Sequence, residues 1–251
     1  MSVKILSSAL IGLEARTIEV EVDFTPGLHS FSIVGLGDKA VEESKERVSS
    51  AIKNSGAKPP QHHNRRITVN LAPADLKKHG PAYDLAIAMG FLLASDQIKK
   101  VNLDNKIFTG ELSLDGSLRR VNGVLPTAIR AREEKKILII PKDNQEEAEL
   151  VEGLRILAVK NLKELLRILE SDTEDYMIGE GANKNQSFLN KSIDFAYIQG
   201  QENVKRALEI AAAGGHNVFM TGPPGAGKTL LSRALPSILP RMTKEEILEV
   251  T

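Results

Sequence analysis

Apolar and polar residues follow two different periods over the first 170 residues of the chain. Residues 18–24 alternate strictly between the two classes, which predicts a strand with one buried face. Asp38 is typical of a helix N-cap and precedes a polar helical pattern that reaches about residue 54, whereas residues 81–94 predict a buried helix. The other predicted strands are residues 3–10, 31–34, 67–71, 107–109, 137–140 and 155–159, and the other predicted helices are residues 125–134, 145–152 and 161–169. This alternation predicts a mixed sheet-and-helix domain, α+β or α/β, over residues 1–170.

The pattern is lost between residues 171 and 190, where the chain is polar, contains glycine and has no period. Such a composition predicts a linker, followed by a second domain over residues 191–251. A long internal loop is the alternative, and such loops are uncommon inside compact domains.

The second domain carries the motif with the clearest chemistry. A helix predicted at residues 202–213 is followed by a short apolar strand predicted at residues 217–221. The pattern G-x-x-x-x-G-K-[ST] comes next and leads into an apolar helix, which predicts a phosphate-binding P-loop rather than a chance turn. The candidate binding residues are Gly222, Pro223, Pro224, Gly225, Ala226, Gly227, Lys228 and Thr229.

Each residue type of this motif has a physical reason. Glycines let backbone amides approach a phosphate closely, and a following helix presents its positive end. Lys228 can reach the β- and γ-phosphates, and the hydroxyl of Thr229 can ligate Mg²⁺. The predicted ligands are therefore ATP and Mg²⁺.

Binding alone does not give hydrolysis, which also needs an acidic residue on a second strand. After Thr229 the chain offers Glu245 and Glu246, but no apolar strand precedes them. The spacing of Thr243 and Glu246 is that of a capping box, a structural signal. We therefore expect no complete catalytic set, and an ATPase module of which only the first part is present.

Composition narrows the possible functions. Lys and Arg together number 33, as do Asp and Glu, so any contact with DNA would have to use a local patch. The chain has no cysteine, which excludes disulfides and thiolate metal sites and suits a cytoplasmic protein. No apolar run is long enough to span a membrane, and we expect no membrane partner.

Two weaker patterns leave alternatives. Residues 35–40 match G-x-G-x-x-A, but no acidic residue follows a second buried strand, so a turn into a helix is favoured over a dinucleotide site. The basic residues form either a solvated loop or a phosphate-contact patch, and they lack the spacing of a metal site. They are His62, His63, Arg65, Arg66, Lys77, Lys78 and His79.

Two segments together resemble a known family. Residues 70–76 (NLAPADL) and 78–85 (KHGPAYDL) resemble the signature of the ComM/YifB proteins, bacterial competence-associated ATPases. The part from residue 191 onward resembles the start of an AAA+ ATPase of the magnesium-chelatase type. By this resemblance Tyr197, Ile198 and Gly200 would line the adenine pocket.

The first domain also resembles the Lon protease domain. Residues 80–84, 109–112 and 121–125 fall where Lon-like proteases carry their catalytic segments. Ala82 stands in place of the serine nucleophile and Leu125 in place of the partner lysine, so the Ser-Lys mechanism cannot operate. The resemblance implies a Lon-like scaffold for interaction or oligomer organisation.

The family resemblance implies a hexameric ring ATPase that moves on DNA and promotes branch migration during DNA uptake and recombination. A magnesium-chelatase-like ATPase subunit and a non-catalytic nucleotide-binding fragment are the alternatives. An active Lon-like peptidase is disfavoured by Ala82 and Leu125.

Overall fold

The computed structural model describes residues 2–62, 64–98, 103–171, 177–179, 193–240, 242–243 and 246. The chain divides into two units, Met1–Ala182 and Asn183–Thr251. In the first unit the strands are β1 (Val3–Ile11), β2 (Glu14–Pro26), β3 (Ser30–Val34), β4 (Arg65–Ala72), β5 (Lys106–Phe108), β6 (Glu111–Leu112), β7 (Leu118–Arg119), β8 (Ile137–Pro141), β9 (Arg155–Val159) and β10 (Met177–Ile178). The helices whose bounds the structure describes are α1 (Lys39–Asn54), α2 (Asp84–Ala94), α3 (Val124–Glu133), α4 (Gln145–Ala148), α5 (Leu162–Glu170), α6 (Glu202–Gly214) and α7 (Lys228–Ala234).

Eight strands of the first unit form one mixed sheet in the order β10-β9-β8-β5-β1-β2-β4-β3. The long hairpin of β1 and β2 lies near its middle, in antiparallel register from Val3 opposite Val22 to Ile11 opposite Glu14. Strands β1, β5, β8 and β9 are parallel neighbours, as the βα alternation of the sequence predicts. The fold class is therefore confirmed as a mixed α/β arrangement.

The helix α2 forms the centre of the core. Its residues from Asp84 to Leu92 are all buried, which suits a segment that is apolar on every side. A Cβ atom at Gly90 would lie 2.7 Å from Val22 Cγ2, so glycine allows α2 to approach β2 closely. The prediction of a buried helix is confirmed, although it begins at Asp84 rather than at residue 81, after a turn closed by the Asp84 amide and the Pro81 carbonyl at 3.1 Å.

The helix α1 begins where its cap predicts. Oδ1 of Asp38 accepts a hydrogen bond from the amide of Val41 at 3.0 Å, and Oδ2 accepts one from Gly80 at 3.1 Å. This confirms that residues 35–40 are a turn into a helix. Burial favours a raised pKa for Asp38, but the amides of Val41 and Gly80, together with His79, hold that pKa below its ordinary value.

Several predicted boundaries differ from the structure. The helix α4 ends at Ala148 instead of residue 152, and the hairpin of β6 and β7 was not predicted. Within the predicted linker, Met177 and Ile178 pair with β9, so these two residues extend the sheet. Apart from Ser171 and residues 177–179, the predicted linker lies outside the described residues. Over the part of the chain that the structure describes, no helix is both long and apolar enough to cross a membrane.

The second unit has a small core of its own. It unites a short 3₁₀ turn (Phe195–Tyr197) with α6 and α7, and a second 3₁₀ turn (Leu235–Ile238) continues α7. The buried residues of this core are Phe195, Ile198, Leu208, Leu231 and Ala234.

Candidate nucleotide-binding site

The glycine-rich loop joins an extended segment to α7, which begins at Lys228. The prediction of a strand at residues 217–221 is wrong, because these residues have no strand hydrogen bonds. Strand pairing needs a neighbour, and no other strand occurs among the described residues of the second unit. Phe219 in this segment is 90% exposed, whereas Met220 packs against the small core.

Three glycines give the loop its shape. The φ angles of Gly222, Gly225 and Gly227 are 156°, 80° and 79°, in the region that residues with a Cβ atom rarely adopt. Apart from each glycine and its two chain neighbours, no atom lies within 4 Å of the place where a Cβ atom would stand at Gly225 or Gly227. Backbone conformation therefore sets the need for glycine here, and the space in front of the loop is open.

The loop exposes hydrogen-bond donors. Lys228 Nζ donates to the carbonyl oxygens of Gly222 and Pro223, at 2.8 Å each, so the ammonium group is held at the loop itself. Among the described residues, the amides of Gly225, Gly227, Lys228 and Thr229 have no backbone acceptor. Unpaired amides, one cation and the exposed hydroxyl of Thr229 are a donor set that fits a polyphosphate with Mg²⁺.

The segment proposed to contact the base lies in the same unit. Tyr197 is 80% exposed, and Ile198 is 6% exposed and packs in the small core. Gly200 is exposed at the turn before α6, with a φ angle of 74°. Because Leu231 of α7 belongs to the same core as Ile198, this segment packs with the helix that follows the loop. A role in base binding stays a prediction.

In the first unit, the structure brings the three Lon-like segments around one pocket of about 330 Å³. It lies beyond the carboxyl ends of the parallel strands β1 and β5, a common position for ligand sites in such sheets. The lining residues include Ala82, Thr109, Glu111, Val121 and Asn122.

This pocket has neither a serine nor a lysine at the positions that matter for Lon-type chemistry. Leu125 is 3% exposed, and its amide donates to Glu147 at 3.0 Å. Of the hydroxyl groups that line the pocket, those of Ser8 and Thr127 bond each other at 2.7 Å, and Thr127 also donates to the Gly123 carbonyl. The hydroxyl of Thr109 donates to the Ala82 carbonyl at 3.4 Å. None of these three hydroxyls is paired with a base that could activate it.

A buried ion pair in the first unit was not predicted from the sequence. Arg47 of α1 contacts the carboxylate of Asp84 through Nε at 2.7 Å and Nη2 at 3.1 Å. Asp84 is fully buried and also accepts a hydrogen bond from the amide of Leu112 at 3.2 Å. Burial raises the pKa of Asp84, although Arg47 opposes this effect. The available signal was one acidic residue at the start of an otherwise apolar helix.

The predicted basic surface is wrong in one part. Lys78 is fully buried, and its Nζ donates to the carbonyl of Pro73. Burial lowers the pKa of Lys78. Its backbone is fixed to residues 36–38, so the chain turns this side chain inward. His62, Arg65 and Arg66 are exposed, and His63 lies outside the described residues.

His79 stands beside the cap of α1, with Nδ1 3.4 Å from Asp38 Oδ2. Within the described ranges, no group of three or more His, Cys, Asp or Glu side chains could hold a metal ion.

Comparison with known proteins connects both units to one group. A family model described as subunit ChlI of Mg-chelatase matches residues 20–144, and a model described as magnesium chelatase, subunit ChlI, matches residues 194–251. Competence protein ComM of Haemophilus influenzae is 42% identical over 98% of this chain, and YifB of Escherichia coli K12 is 40% identical over 99%. The chain spans 48% of the length of each of these relatives. Lon protease of Leptospira interrogans is 27% identical over 148 residues, which are 55% of this chain and 16% of that protein.

The glycine-rich loop and these matches define the protein as a member of an AAA+-type ATPase family with a preceding mixed-sheet domain. More narrowly, the chain belongs to the magnesium-chelatase-related family that includes ComM and YifB.

Proposed function

We propose that the chain binds ATP with Mg²⁺ at residues 222–229. The observation that carries this proposal is the set of loop amides without a backbone acceptor among the described residues, together with the ammonium group of Lys228. Bound Mg²⁺ would neutralise charge on the phosphate oxygens, with the Thr229 hydroxyl as its protein ligand.

Lys228 changes partners in this proposal. Its ammonium group now bonds two neutral carbonyl oxygens, those of Gly222 and Pro223. Phosphate oxygens are charged acceptors and form stronger hydrogen bonds with ammonium than carbonyl oxygens do. Binding would therefore draw Lys228 from the carbonyls to the phosphates.

The test is ATP titration by calorimetry with Lys228→Ala. A hydrogen bond to a charged group contributes about 1.5–3 kcal/mol, so we expect binding to weaken about 10- to 100-fold. Lys205→Ala is the matched control, because Lys205 on α6 contacts Glu202 at 3.4 Å and lies outside the loop. Equal affinity of Lys228→Ala and the parent chain would refute the proposal.

At the level of the whole protein, we propose the activity implied by the family: a hexameric ring ATPase, acting in the cytoplasm, that promotes branch migration on DNA during transformation and recombination. The support is the similarity to ComM, whose name assigns it to competence, over 98% of this chain. A synthetic four-way DNA junction tests the activity on a chimera in which this chain replaces the matching part of ComM, because the chain spans 48% of that relative's length. We expect branch migration that separates the junction into duplexes only when ATP is present, and loss of this activity in Lys228→Ala. Migration without ATP would contradict the proposal.

A magnesium-chelatase-like ATPase subunit is the second candidate, because both matching family models describe chelatase subunit ChlI. The same preparation distinguishes the two. ATP-dependent insertion of Mg²⁺ into a porphyrin with added chelatase partner subunits, without any effect on DNA junctions, would favour the second candidate. ATP binding without either activity would support a nucleotide-binding role alone.

A further inference from the structure

We propose that Ser237 is a positioning residue that holds the segment of Tyr197, Ile198 and Gly200, which is predicted to contact the base, against the helix of the P-loop. The inference rests on the proposed ATP site. Ser237 lies in the 3₁₀ turn that continues α7, and its hydroxyl group joins two segments that are far apart in the sequence.

The hydroxyl group of Ser237 uses both of its hydrogen-bonding roles. Its Oγ accepts a hydrogen bond from the amide of Phe195 at 2.9 Å and donates to the carbonyl of Ala234 at 2.8 Å. Ala234 is the last residue of α7. The amide at the start of the 195–197 turn is thus connected to the end of the P-loop helix through one side chain.

This connection holds the short turn that carries Tyr197. Phe195 and Ile198 on either side are buried in the small core, whereas Tyr197 is 80% exposed. Asp194 caps the same turn by accepting a hydrogen bond from the amide of Ala196 at 2.9 Å. The turn therefore holds an exposed aromatic ring, and Ser237 fixes the first amide of that turn relative to α7.

Loss of the hydroxyl group has a specific consequence. Phe195 is 7% exposed, so its amide would be left without its acceptor in a mostly buried place. The turn would move to find another partner, and the ring of Tyr197 would move with it. The loop itself keeps its glycines and the contacts of Lys228, because none of these involves Ser237.

Competition binding separates the base from the phosphates. The probes are ATP and inorganic tripolyphosphate, which has the phosphate chain but no base. The affinity for tripolyphosphate is measured from its displacement of bound ATP. Ser237→Ala removes the hydroxyl group, and Ser237→Thr restores one. Ser232→Ala is the matched control, since Ser232 of α7 donates to the Thr229 carbonyl at 3.0 Å but does not contact the turn.

We expect Ser237→Ala to weaken the affinity for ATP about fivefold, the effect of one hydrogen bond. The affinity for tripolyphosphate should stay within twofold of that of the parent chain. Ser237→Thr and Ser232→Ala should both bind ATP within twofold of the parent chain. Unchanged ATP affinity in Ser237→Ala, or an equal loss for both probes, would overturn the role of Ser237. Failure of the parent chain to bind ATP, or of tripolyphosphate to displace it, would instead contradict the proposed ATP site.

Discussion

Replacement of Arg47 by methionine tests the buried ion pair of the first unit. Met keeps much of the length of the side chain but removes the charge and four hydrogen bonds. Two of these bonds go to Asp84, and the others go to the Ala40 carbonyl at 2.8 Å and the Ser44 hydroxyl at 3.0 Å. The carboxylate of Asp84 would remain fully buried, with the Leu112 amide as a neutral donor.

The expected cost follows from this geometry. Breaking a buried pair by removing one partner costs about 3–5 kcal/mol, because the remaining charge is uncompensated. The cost should fall as the pH falls, because burial already raises the pKa of Asp84 and protonation removes its charge. Asp84→Asn in the Arg47→Met background should recover part of the loss, since the amide is neutral.

Hydrogen exchange of the amides of α2 is the appropriate assay, since this helix lies in the core of the first unit. Exchange through opening of that core should accelerate at least about 100-fold in Arg47→Met. Arg130→Met is the control, because Arg130 contacts Glu134 at 2.7 Å on the surface with a 43% exposed side chain. It should change stability by at most about 1 kcal/mol. Equal exchange rates in Arg47→Met and Arg130→Met would refute the reasoning.

Three further substitutions or assays test the first unit. Asp38→Ala removes the cap of α1 and should cost about 1 kcal/mol at neutral pH. Because the folded state lowers the pKa of Asp38, urea unfolding should show this difference above about pH 4 and lose it as the pH falls through the folded-state value. In thermal melts, Gly35→Ala should lower the melting temperature more than Gly56→Ala, although both glycines have positive φ angles. At position 35 the new Cβ atom would lie 2.3 Å from the carbonyl oxygen of Leu71, whereas at position 56 it would meet no neighbouring atom. With Ala82 in place of the nucleophile, the chain should not cleave an unfolded protein substrate, and cleavage that copurifies with the chain through successive columns would contradict this.

Much of the first unit follows from residue patterns alone. Strict alternation places β2 along the hairpin, and the strand predicted at residues 155–159 coincides with β9. A segment that is apolar on every face after Asp84 predicts the buried helix α2. The predictions of these elements are correct because their patterns are long or because local burial decides their secondary structure.

The predictions are wrong where residues distant in the sequence decide the structure. Met177 and Ile178 become strand only because β9 offers them an edge, whereas residues 217–221 have an apolar strand pattern but no described partner. Lys78 sits among basic residues in the sequence but is buried by contacts with residues 36–38. The spacing of residues predicts the loop at residues 222–229, but it does not predict the hydrogen bonds that Lys228 makes within the loop.

Amide chemical shifts of the isotope-labelled chain during ATP addition would test the nucleotide site at single residues. We expect the largest changes at Gly225, Gly227, Lys228 and Thr229, whose amides have no backbone acceptor among the described residues. The same titration with Lys228→Ala should show smaller changes at equal ATP concentration. Unchanged loop amides, or changes confined to the first unit, would contradict binding of ATP at this loop.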